Sequence, residues 1–173
     1  MGAVSFVAML ETHTVLRELF VQHQEALLDL DLPHALERLE AFERRLQPHI
    51  WEEEAVLLPI YERAGAIPGG PPVLFTGEHQ RMGEFLAHFK QALSSLAKHP
   101  AAELKRGILR LLDRQASFKG LMEHHNQRES TLFYPTLDRV TTDAERREIL
   151  TRCRAAWLEE QRQPGSVGRD VAR

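Results

Sequence analysis

The sequence predicts an all-α fold: an antiparallel, up-down four-helix bundle with one additional helix at its C-terminal end. Three observations lead there. Apolar residues recur at three- and four-residue spacing almost throughout the 173 residues, and alternating β-branched runs are absent. The turn signals fall at a few places and leave four long periodic segments, which pack most simply as an antiparallel bundle.

The first segment runs from about Leu10 to Leu30, with Leu10, His13, Leu16, Phe20 and Leu27 on adjoining faces. Asp31-Leu32-Pro33 breaks it and offers Asp31 as the cap of a second helix, with Pro33 in its first turn. That helix continues to about Ala64, where Gly65 supplies a stop. Ala66 to Gly77, with Pro68, Gly69, Gly70, Pro71 and Pro72, reads as a loop. A third helix starts near Thr76 or Gly77 and ends at Lys98-His99-Pro100, and a fourth spans about Ala101 to Val140. Thr142 to Glu145 reads as a capping box for the fifth, which carries Ile149, Leu150, Cys153 and Trp157 on one stripe. The expected organisation is a bundle over residues 1–140, a helix over 141–162 packing on it or at an oligomer interface, and a mobile tail over 163–173.

Composition narrows the function. With a net charge of −3, the chain has no cation excess to neutralise phosphates, which argues against nucleic acid as a partner. The single cysteine excludes an internal disulfide framework and fits a reducing compartment. The apolar stretch Gly2–Leu10 is too short to span a membrane, lacks a basic leader, and has Phe6 where a myristoylation motif wants Ser or Thr. A cytoplasmic location is the expectation.

The nine histidines carry the rest. Residues four apart on a helix lie on one face, close enough to share a metal. His49–Glu53, His125–Glu129 and His99–Glu103 all have this spacing. Only the first two share a context: His49 to Pro59 aligns without a gap on His125 to Pro135, so that His, Glu and Pro coincide. Each aligned segment follows a helix with a histidine near its start, His13 in one half and His79 in the other. The chain therefore reads as a duplicated helical hairpin. All six residues sit on stripes that otherwise point inward, where unpaired carboxylates would be expensive to bury. A pair of divalent or trivalent cations resolves this, and imidazole with carboxylate suits iron, manganese or zinc.

On these residues the chain resembles the hemerythrin-like, or HHE cation-binding, family, whose hallmark is a His followed on the next helix by His-x-x-x-Glu and a later Pro, given twice. The resemblance covers about Leu10 to Val140. It implies a non-haem di-iron centre, two oxo- or hydroxo-bridged iron ions held by His13, His49, Glu53, His79, His125 and Glu129, with zinc or manganese as substitutes. It also implies a small diatomic or peroxide ligand, in sensing, detoxification or iron handling; as an enzyme the chain would be an oxidoreductase acting on peroxide, oxygen or nitric oxide. One feature departs from the oxygen-carrying members: where they have a fifth histidine, one turn after the third-helix ligand, this chain has Gly83. A reactive or sensing centre is thus favoured over a reversible carrier. His124 lies about 100° around its helix from His125 and is a candidate to orient a ligand or move a proton rather than to bind.

Other residues take plainer readings. His23, His34, His88 and His99 are expected to be surface or satisfied histidines, Tyr61 and Tyr134 packing residues, and Glu52 and Glu54 a solvated face, with substitution of one of them in the metal shell as the alternative. Pro59 and Pro135 are expected to end or bend their helices. Two other functions stay open: an interaction module with a purely structural metal, and an oligomeric cargo or scaffold protein assembled through the Cys153–Trp157 stripe.

Overall fold

The computed structural model describes residues 4–162, without the side chains of 101 and 154–162. The helices are α1 (Leu10–Leu28), α2 (Leu32–Glu52), α3 (Leu58–Tyr61), α4 (Pro72–Leu96), α5 (Ala101–Arg128), α6 (Tyr134–Val140) and α7 (Asp143–Arg162). No strand occurs among the described residues. A 3-10 turn, Phe6–Met9, leads into α1. Helix α1 packs along α2 and α4 along α5, while α2 touches α4 and α1 touches α5, which closes the four-helix ring. Among the described residues no helix is long and apolar enough to cross a membrane.

The predicted punctuation works through identifiable groups. The Asp31 carboxylate accepts the His34 N–H at 3.0 Å and caps α2, and Gly65 takes φ 74° where the second segment stops. The Thr142 N–H donates to Glu145 Oε2 at 2.8 Å and the Glu145 N–H to Thr142 Oγ1 at 3.3 Å, a reciprocal capping box. Two boundaries differ from expectation. Helix α4 starts at Pro72, ahead of Thr76, because a proline in the first turn gives up an N–H that has no helical partner anyway. Nor do Pro59 and Pro135 end their helices. The second and fourth segments instead pass through single π turns, Glu53–Leu57 and Glu129–Phe133, into α3 and α6.

Two apolar clusters fill the ring. The larger holds Leu16, Phe20, Phe42, Met82, Leu86, Phe89 and Phe118; the smaller holds Phe6, Leu57, Tyr61, Phe75, Phe133 and Tyr134. Every long segment passes from one cluster to the other: Phe42 to Leu57, Phe75 to Met82, Phe118 to Phe133, and on α1 from Leu10, packed on the smaller, to Leu16. The band between them is where the six predicted residues sit. Ser5 Oγ and the Phe6 N–H donate to the Asp138 carboxylate, fastening the start of the chain to α6 under the smaller cluster. Ile149 and Leu150 of α7 pack on that cluster too, and Cys153 is buried. The Trp157 side chain and the 163–173 tail lie outside what is described.

Candidate metal centre

Between the two clusters the structure brings together His13 of α1, His49 of α2, His79 of α4, His125 of α5 and the two glutamates that open the π turns. All are buried, none more than 5% exposed. They form two overlapping groups, His13–His49–Glu53–Glu129 and His79–His125–Glu53–Glu129, in each of which one ligand atom per residue lies within 4.8 Å of the others. The imidazoles face each other through Nε2, at 3.0 Å for His13–His49 and 3.3 Å for His79–His125. Glu129 spans the groups, Oε2 at 3.1 Å from His13 and Oε1 at 2.8 Å from His125. Glu53 does the same, Oε1 at 3.6 Å from His49 and Oε2 at 3.3 Å from His79.

The π turns position the residues just beyond the glutamates. Each begins at the glutamate, whose carbonyl accepts the N–H five residues on, from Leu58 or Tyr134. Pro59 and Pro135 have no N–H to carry the tighter ladder forward. The extra residue lets two successive side chains turn inward, Leu57 with Leu58 and Phe133 with Tyr134. Such π turns recur at functional sites.

The donor set fits cations. Apart from the imidazole nitrogens facing them, Glu53 Oε2 and both Glu129 oxygens have no hydrogen-bond partner among the described residues. Two carboxylates in an apolar layer demand positive charge. With the chain's own charges alone, protons supply it: burial opposes a charged His125, but Glu129 and Glu78 prevail and push its pKa up to about 10. Burial likewise opposes ionised Glu129, yet His125 and His13 hold its carboxyl well below the usual range. Burial lowers the His49 imidazole despite the two glutamates. Burial and the Glu129 and Glu53 carboxylates raise the Tyr134 phenol well above its ordinary value.

Around the six stand partners that the sequence pattern alone assigns to other roles. Glu54, expected on a solvated face, meets His79 Nδ1 through Oε1 at 2.9 Å. Glu78 Oε2 meets His125 Nδ1 at 2.9 Å, and its Oε1 accepts from Arg128. Tyr134, expected only to pack, donates its Oη to Glu53 Oε1 at 2.6 Å. Glu52 is buried rather than solvated. His124 does not take the supporting role expected of it: it is exposed, on a surface pocket with Gln127, Arg128, Thr131 and Leu132. The outer nitrogens of His79 and His125 are met by Glu54 and Glu78 instead. A signal for these two was present in the duplication, because Glu54 aligns with Ser130 and Glu78 with Thr12, so the repeat breaks at both.

The plainer histidine readings agree with the geometry. His23 is fully buried, its Nδ1 at 2.7 Å from the Ala35 carbonyl and its Nε2 at 2.7 Å from the Gln115 amide. His34 and His99 bond locally at the surface, to Glu37 and to the Ser95 carbonyl. Tyr61 packs in the smaller cluster and donates to the Gly70 carbonyl at 2.8 Å, where a Cβ would come within 2.5 Å of its Oη.

No curated protein and no solved structure matches the chain. A family model does, over residues 5–137, a stretch that contains both hairpins and the whole buried cluster. The chain belongs to the hemerythrin HHE cation-binding domain family.

Proposed function

We propose that the chain is a non-haem di-iron protein whose six buried ligands expose the metal pair to a small diatomic molecule or peroxide, in sensing, detoxification or iron handling. The observation that carries this reading is the pair of overlapping four-residue groups that share Glu53 and Glu129. Each group offers two imidazole nitrogens and two carboxylate oxygens, a set that suits iron and leaves room in its coordination sphere. Bound there, the iron pair would supply redox and Lewis-acid chemistry.

The chain's own residues do the remainder. Glu53 and Glu129 each present one oxygen to either position, and the four imidazoles hold the ends. Leu16 and Met82 on one side and Leu57 and Phe133 on the other wall the band with hydrocarbon, which keeps out bulk water and large substrates. Tyr134 keeps its phenol proton and donates it in a hydrogen bond to Glu53 Oε1 within the buried layer. At Gly83 a Cβ would meet nothing within 4 Å, so the place of the carriers' fifth histidine is left as open space.

The test is spectroscopic. Iron-loaded protein is expected to show ligand-to-metal charge-transfer absorption that changes with oxygen, nitric oxide or peroxide. Full iron loading with a spectrum unmoved by all three would instead mark the metal as structural.

A further inference from the structure

We infer that the two metal positions are unequal: Glu54 and Glu78 make the His79–His125 position the tight one, filled first, and leave the His13–His49 position weak and exchangeable. The inference rests on the proposed di-metal reading and deepens it.

Three contacts point the same way. His79 and His125 each face a carboxylate at Nδ1, both at 2.9 Å. Such a partner holds the Nδ1 proton, keeps the Nε2 lone pair free for a metal, fixes the ring and raises its basicity. His13 and His49 have no such support: their Nδ1 atoms are buried and find no hydrogen-bond partner among the described residues. An unmet buried N–H makes the metal-binding tautomer unfavourable. The third contact is on Glu53. Its Oε2 faces His79 and receives nothing else, whereas its Oε1, the oxygen on the His49 side, already accepts from Tyr134. That hydrogen bond draws charge from the oxygen the weaker position needs.

The difference is written in the duplication. When His125 is laid on His49 and His79 on His13, Glu54 falls on Ser130 and Glu78 on Thr12. Both replacements are neutral and too short to reach as a glutamate does. Glu54 comes from the hairpin opposite its imidazole and Glu78 from the same hairpin. By the same relation, a carboxylate at residue 130 would serve His13 and one at residue 12 would serve His49.

The experiment is a titration of the full chain with ferrous iron under anaerobic conditions, followed by calorimetry and native mass spectrometry, with circular dichroism as the folding check. Wild type is expected to bind in two steps whose affinities differ by at least roughly tenfold. Glu54→Gln and Glu78→Gln should each weaken the first step by roughly 10- to 100-fold and leave the second nearly unchanged. His79→Ala should remove the tight step and His13→Ala the weak one. Tyr134→Phe should tighten the second step, and Thr12→Glu with Ser130→Glu should bring it toward the first. Two equal steps in wild type, or a first step indifferent to Glu54 and Glu78, would overturn this inference while leaving the di-metal reading intact. No binding at either position would remove both.

Discussion

The two helical hairpins repeat one another closely in what they give the centre and differ in what surrounds it. Each supplies one histidine from its first helix, a His–Glu pair from its second, and a π turn that starts at the glutamate. The likeness runs on into the core, where Leu16, Phe20 and Leu27 on α1 match Met82, Leu86 and Leu93 on α4, all buried. Two breaks interrupt it. Carboxylates back His79 and His125 but not His13 and His49. In the larger cluster the polar pair His23–Gln115 occupies the places that the other copy gives to Phe89 and Leu39. The comparison teaches that a repeated pattern fixes ligands, whereas departures from the pattern fix how the two halves differ.

The largest effect should come from what both halves share. Glu53→Ala or Glu129→Ala removes a ligand from both positions and should abolish most iron binding; Glu103→Ala, on the unrelated surface pair, should leave iron content unchanged. Equal retention in all three variants would refute the shared role. Next is the apolar junction of the hairpins. The Phe118 ring packs against Phe20, Phe42, Phe85 and Phe89, with centroids 5.0 to 5.8 Å away. Phe118→Ala should destabilise the fold by about 3–5 kcal/mol in urea unfolding, with or without a chelator.

A smaller effect tests the polar break. Gln115→Leu leaves His23 Nε2 unmet and should destabilise by about 1–3 kcal/mol, whereas His23→Phe with Gln115→Leu restores the apolar pattern and should be nearly neutral. The same pair gives a pH signature. Burial lowers the His23 pKa, against the Ala35 carbonyl, which raises it. The folded value thus lies below the unfolded one near 6.5, so the contribution is full above about pH 6.5 and is lost as pH falls through the depressed folded value. The double variant should lose that part of the acid sensitivity in urea midpoints measured between neutral and mildly acidic pH; an unchanged slope would contradict it. The smallest effect concerns the turn between α1 and α2, where Leu30 takes φ 62° and the Asp31 N–H reaches the Ala26 carbonyl at 2.9 Å. Leu30→Gly should raise stability by up to about 1 kcal/mol.

Periodicity carried the helical class, and the His-x-x-x-Glu repeat with its two prolines carried the six residues that the fold brings together. Each is a local signal: a stripe, a four-residue spacing, a turn residue. The π turns were not readable in this way, because Pro59 and Pro135 announce a lost N–H without saying that the helix widens and continues. The roles of Glu54, Glu78 and Tyr134 depend on which helix lies opposite. A half-exposed glutamate beside a ligand looks like any solvated charge until its neighbour is known, and a tyrosine on an inward stripe looks like packing until a carboxylate stands at its hydroxyl.

All the proposed chemistry depends on six side chains framing two cations, and metal stoichiometry measures that most directly. Native mass spectrometry of the folded chain, held anaerobically at saturating ferrous iron, should find two irons per chain. One iron or none, in protein whose helical content is intact, would contradict the account.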